Sequence, residues 1–136
     1  MATPAKSLPK PLTLTLRLDL AHIESGVPTA TMTDFVTSSG IPLKDIYDVV
    51  IPARTLKHRR ARKEPLSRDE SDKLARLARI FDHAVRVFDG RDRARFWLEE
   101  PKPRFGDRTP LAMLATETGG RLVEQFLGQI EFGMFA

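Results

Sequence analysis

Six cations fall within ten residues of this sequence: Arg54, Lys57, Arg59, Arg60, Arg62 and Lys63, with His58 among them and no acid. Positive charge at that density on one short element is the footprint of a protein that grips a polyanion, and nucleic acid is the commonest one. The same run also reads as a solvated surface face. On a helix opening near Pro52, Arg54, Thr55 and His58 are candidates to reach base edges, since an Arg can take guanine O6 and N7 together. Lys57, Arg59, Arg60, Arg62 and Lys63 would touch phosphates, which gives salt-dependent affinity without sequence information.

Other chemistries find little support. His22, His58 and His83 are far apart, and none has the i, i+4 partner of a helical metal site. No glycine-rich phosphate loop and no G-x-S-x-G elbow occurs. Glu99 and Glu100 are adjacent, so on a helix they point about 100° apart and cannot act as an acid/base pair. Asp69, Glu70 and Asp72 open a helix, where negative charge complements the dipole. Neither catalysis nor a cofactor or metal is expected.

The chain has 136 residues, 41% of them apolar, which is enough to bury a core and argues against global disorder. With no Cys, disulfides, Cys-based zinc sites and thiol catalysis are excluded together, as in a reducing cytosol. Apolar runs are too short to span a bilayer, and the N-terminus lacks a signal-peptide core; a soluble cytoplasmic protein is expected, without membrane contact. The net charge of +4 is uneven: residues 1–66 hold ten Lys or Arg against six Asp or Glu, whereas residues 67–136 hold twelve of each.

The elements that must position the cations read as helices. Residues 1–11, with three prolines and two lysines, read as a disordered arm. Residues 12–20 (LTLTLRLDL) alternate like a strand, but no partner strand follows; an extended arm and then a short helix ending at Gly26 is the expectation. Helices are expected over about 31–39, 43–50 and 52–61, with Gly40 after the first and Pro52 in the first turn of the third. Ser67-Arg68-Asp69-Glu70 is a capping box, and Leu74, Leu77, Ala78, Phe81, Ala84, Val85 and Phe88 follow at helical spacing to Gly90. Shorter helices follow over about 91–100, 109–115 and 117–132, around a Pro/Gly loop at 101–108.

Two helix–turn–helix registers fit the basic half. One pairs 31–39 with 43–50 through Gly40 and offers DNA only Lys44 beside Asp45 and Asp48. The other pairs 43–50 with 53–61, has Val50 where Gly is usual, and presents the basic cluster; it is preferred on charge. Half-sites need a dimer, and the stripe on 67–89 could serve that interface or an internal core. In the last block, Leu122, Val123, Phe126, Leu127 and Ile130 form a stripe, and Phe132, Met134 and Phe135 exceed what it needs. Surplus apolar residues at a chain end suit partner contact or fold back on their own domain.

Residues 51–88, beginning IPARTLKHRRARKEPLSRDESDKLARLAR, resemble the I-P-x-R-T-L-x-R-R and L-S-x-x-E-S-D-R-L-x-R-L-A-R signature of the Xre/MbcA/ParS antitoxins. Residues 97–136 are similar to the W-L, G-x-x-P-L and T-x-x-G-x-x-x-V signature of that family's toxin-binding domain. The resemblance covers about residues 25–136. It implies an all-α fold: an Xre-like helix–turn–helix domain at 12–66, then a dimerisation helix and small helical toxin-binding domain at 67–136. It also implies a homodimer or higher oligomer that represses its own operon at operator DNA and blocks the NAD⁺ pocket of a RES-domain toxin with its C-terminal helix and tail. The matched toxin-side positions are Trp97, Gly106, Pro110, Leu111, Gly119, Val123, Leu127, Ile130 and Gly133. Two departures stand out: Val50 replaces a Gly, and Pro103-Arg104-Phe105 occupies a loop with the pattern N-x-x-L. The other functions that the residues allow are a free-standing helix–turn–helix regulator whose C-terminal helices only dimerise, and an adaptor that has lost DNA binding.

Overall fold

The computed structural model describes residues 8–133. Among them are nine α-helices: α1 (Leu12–Thr15), α2 (Leu20–Ser25), α3 (Thr29–Ser39), α4 (Leu43–Val49), α5 (Ala53–Ala61), α6 (Arg68–Phe88), α7 (Arg91–Glu99), α8 (Pro110–Met113) and α9 (Glu117–Glu131). A 3-10 turn, Pro103–Phe105, lies between α7 and α8, and an isolated bridge between Lys102 and Arg108 closes the loop around it. The described residues contain no strand, so the all-α expectation holds.

Helix α6 is the spine. Its N-terminus is set locally: the Ser67 hydroxyl accepts from the Glu70 N–H at 3.1 Å, and Glu70 Oε1 accepts from the Ser67 N–H at 2.7 Å. Its expected stripe is buried at Leu74, Leu77, Ala78, Phe81, Ala84 and Val85, and Ile80 joins it. That stripe is wide enough for the helix to pack α1, α2 and α3 as well as α7 and α9. Phe81 meets Phe35 of α3 edge to face at 6.0 Å, so the α6 stripe serves an internal core here. At its C-terminus Asp89 takes the left-handed conformation, φ 58°, and its N–H bonds to the Val85 carbonyl.

The N-terminal segment departs from the extended arm expected over residues 12–20. Asp82 of α6, only 8% exposed, accepts from the Leu12 N–H at 2.8 Å, the Thr13 N–H at 2.9 Å and the Thr13 hydroxyl at 2.8 Å. A distant carboxylate thus satisfies the amides that a local cap normally serves, and the chain turns into α1 where alternation suggests a strand. Leu12 and Leu18 are buried, while Leu14 is exposed. Residues 8–11 of the expected arm lie beside Asp82, Val85, Arg86 and Arg91; the rest of that arm lies outside the described residues.

The C-terminal block is assembled on α6 by polar ties as well as by Val123 and Leu127. Arg76, 7% exposed, donates from Nε to the Leu114 carbonyl at 3.2 Å and anchors the end of α8. Gly119, in the first turn of α9, allows that helix to approach α8, because a Cβ there would sit 1.9 Å from the Met113 carbonyl oxygen. Arg79 forms an ion pair with Glu124 between α6 and α9, and His83 Nε2 lies 3.2 Å from Glu131 Oε1.

Candidate functional site

The basic helix α5 is held by one deeply buried anchor, Leu56, at 2% exposure. Around that anchor the side chains divide by helical position. Arg54, Lys57 and His58 occupy i, i+3 and i+4 and are exposed; Thr55 is half-buried beside them. None of Arg54, Lys57, His58, Arg62 and Lys63 pairs with another described side chain, so the two arginines and two lysines present an open cationic surface with His58 among them. Arg60 is also exposed, but its Nη2 donates to Thr33 Oγ1 of α3 at 2.8 Å. Lys44 is exposed on α4, next to Asp45 and one turn before Asp48. Burial pushes the Asp45 carboxyl up, with Lys44 opposing and Asp48 adding to it.

Arg59 does not share that surface. Its Nε and Nη2 donate to the two carboxylate oxygens of Glu70 at 3.2 and 3.3 Å, and Nη1 reaches Glu64 at 3.4 Å. The phosphate contact expected of Arg59 is therefore corrected: its guanidinium fork faces the start of α6. Helix α5 ends in a Schellman motif, with the Glu64 N–H bonded to the Arg59 carbonyl and the Lys63 N–H to that of Arg60. Lys63 takes the left-handed position at φ 56°. The turn between α4 and α5 needs no glycine: Val50, the departure from the family signature, has φ −111° and ψ −58° and buries its side chain.

A second surface lies on α7 and the ends of α6 and α9. Trp97 is half-buried, with its ring 5.3 Å from Phe88 and 5.5 Å from Phe126, and Lys102 Nζ stands 4.9 Å from its centroid. Burial lowers the Lys102 ammonium pKa, with Glu100 opposing. Phe105 extends the aromatic chain by an edge contact with Phe126 at 5.8 Å, and it is buried where the family signature has Leu. Val87, Phe88, Asp92, Phe96, Trp97 and Glu100 border an open groove of about 700 Å³. Phe96 is 70% exposed on its lip, and Phe132, past the end of α9, is 73% exposed.

The expected toxin-side residues therefore separate. Leu111, Val123 and Leu127 are buried at 2% or less, which corrects their assignment as contacts: they hold α8 and α9 on the core. Trp97 and Ile130 are half-buried, Phe132 is open, and Met134 and Phe135 lie outside the described residues. Sequence reasoning gave Phe96 no role. The signal was available, because adjacent helical residues diverge by about 100°, so Phe96 and Trp97 cannot both face the core that takes Ala94 and Leu98. Among the described residues no group of three His, Asp or Glu could hold a metal, and no helix is long and apolar enough to cross a membrane. His22 pairs with Asp19, and His83 with Glu131, on separate parts of the chain.

Comparison with known proteins follows the same division. Residues 20–79 match the Antitoxin Xre-like helix-turn-helix domain, and residues 83–133 match the Antitoxin Xre/MbcA/ParS C-terminal toxin-binding domain. A protein named Antitoxin Xre from Pseudomonas putida is 44% identical over 98 residues, covering 72% of this chain and 62% of that protein. Under two thirds of that relative is thus spanned. Proteins of the same name from Yersinia enterocolitica and Photorhabdus laumondii are 31% and 34% identical, over 88% and 84% of this chain and 72% and 78% of their own length.

Proposed function

The chain belongs to the Xre antitoxin family, and from that premise we propose that it neutralises a RES-domain, NAD-consuming toxin and represses its own operon. The family is non-enzymatic. A helix–turn–helix half and a toxin-binding half make it a type II antitoxin by family. The observation that carries the finer function is the separation of two exposed surfaces on one spine: unpaired cations on α5 and uncovered aromatics at α7 and α9.

At the operator, α5 enters the major groove. Arg54, Thr55 and His58 address base edges, while Lys57, Arg62 and Lys63 meet phosphates. Lys44 and Arg60 border this surface. Two copies, as a homodimer or higher oligomer, place two α5 helices on half-sites. At the toxin, Phe96, Trp97, Ile130 and Phe132 form the contact, with apolar anchors inside a charged rim of Asp92 and Glu100. The end of α9, with Ile130 and the exposed Phe132 after it, covers the entrance to the NAD⁺ pocket.

The deciding experiment mixes the full chain with a RES-domain toxin and follows NAD⁺. Consumption stops at stoichiometric antitoxin. Undiminished consumption at excess antitoxin discards this function and leaves a regulator whose C-terminal helices only dimerise.

A further inference from the structure

Glu70 serves two partners at once. Its Oε1 accepts from the Ser67 N–H at 2.7 Å and closes the α6 capping box, while both its oxygens take the Arg59 guanidinium of α5. Its side chain is 12% exposed and that of Arg59 is 29% exposed, so the pair is shielded more than an ordinary surface ion pair. Glu64, bonded through its own N–H to the Arg59 carbonyl, adds a second carboxylate to the same guanidinium. Two acids thus surround one cation inside a run that is otherwise unneutralised. Arg60, on an adjacent position, is tied to Thr33 of α3. Helix α5 is therefore clamped to α6 and α3 by Arg59 and Arg60, leaving Arg54, Lys57 and His58 on the open side.

We propose that Glu70 is a positioning residue for DNA recognition, which fixes the orientation of α5 through Arg59 and keeps that guanidinium off the phosphate backbone. Sequence discrimination needs a reading helix with one orientation, whereas a loose cation binds every duplex alike. The bidentate fork supplies the orientation, and the charge balance supplies the withholding. The inference rests on the DNA-binding function.

The test uses the full chain and two labelled duplexes of equal length, the promoter region of its own operon and a scrambled version, titrated over a salt series. Glu70→Gln retains an acceptor for the Ser67 N–H, so the capping box survives while the charge is removed. The variant is expected to lose about tenfold in promoter-over-scrambled preference, the worth of one base contact. Released Arg59 is expected to steepen the salt slope on the scrambled duplex by about 0.9, one added phosphate, and Arg59→Ala in the same background is expected to abolish that gain. Arg59→Lys keeps the charge without the fork and is expected to lose the preference too, which carries the test if Glu70→Gln does not fold. Wild-type preference in either folded variant overturns the proposal, and so does lost preference in Glu70→Gln with an unchanged slope. A wild-type chain that binds neither duplex overturns the DNA-binding function instead.

Discussion

The carboxylate of Asp82 accepts the backbone N–H of Leu12 at 2.8 Å across 70 residues of sequence. With two more bonds to Thr13, it is the cap of a helix it does not belong to. Replacing Asp82 by Ala leaves the Leu12 and Thr13 amides without that acceptor and is expected to cost about 1–3 kcal/mol. Thermal melting measures the loss, and hydrogen exchange at those two amides locates it. Unchanged protection there would mean that α1 stands without Asp82.

Glycines of α9 should respond in opposite ways. Gly119→Ala drives a Cβ to within 1.9 Å of the Met113 carbonyl oxygen, a backbone atom that cannot step aside. It is expected to destabilise by about 2 kcal/mol or more, through overpacking. Gly128 has nothing within 4 Å of an added Cβ, so Gly128→Ala is expected to stabilise by about 0.5–1 kcal/mol. Denaturant midpoints of the two variants decide it.

On the toxin side, exposed and buried residues separate contact from folding. Phe96→Ala is expected to leave the melting temperature near wild type and to weaken toxin binding by about 2 kcal/mol or more, the scale of an aromatic anchor. Val123→Ala, inside the core, is expected to lower stability first. Calorimetric titration with the toxin, paired with melting curves, distinguishes them. A Phe96→Ala variant with full affinity moves the contact away from the α7 groove.

For the DNA side, Arg54→Ala is expected to weaken promoter binding by about 1–3 kcal/mol while toxin neutralisation persists. Equal loss of both activities would show that the two surfaces are not separate.

Acid sensitivity follows from Glu70. Burial raises its carboxyl pKa, but the Ser67 N–H, the Arg59 guanidinium and the Ser67 hydroxyl outweigh that and leave it below its ordinary 4.5. A carboxyl depressed on folding contributes stability that is fully present above the ordinary value and lost as pH falls through the folded one. Glu70→Gln is therefore expected to flatten the fall in stability below about pH 4.5, as urea midpoints across the acid range can show.

Much of this fold was legible because its signals are local. The α6 capping box and the apolar stripe sit within one stretch of chain, and the observed helix ends within a residue or two of the expected bounds, although Asp89 and not Gly90 takes the left-handed position. Helix α1 was not legible, since its cap is Asp82 and nothing near Leu12 announces it. Leu111, Val123 and Leu127 were read as contacts because a stripe has the same period whether it meets a partner or its own core. Arg59 looked equivalent to its neighbours in a basic run, and only the return of α6 beside α5 sets it against Glu70.

The matched regions meet at residues 79 and 83, inside the unbroken helix α6. No flexible joint separates the two halves, so whatever sits on the α7 groove keeps a constant bearing to whatever α5 grasps. Angular phase is then set by that helix together with direct contacts between the halves, α4 against α8 and Arg91 and Arg95 on the Ser38 and Gly40 carbonyls. One extra residue between Arg79 and His83 would swing the downstream half by about 100° around the axis while advancing it only about 1.5 Å. Exchanges of side chain along this beam keep that alignment, whereas a single-residue insertion or deletion swivels one workplace away from the other.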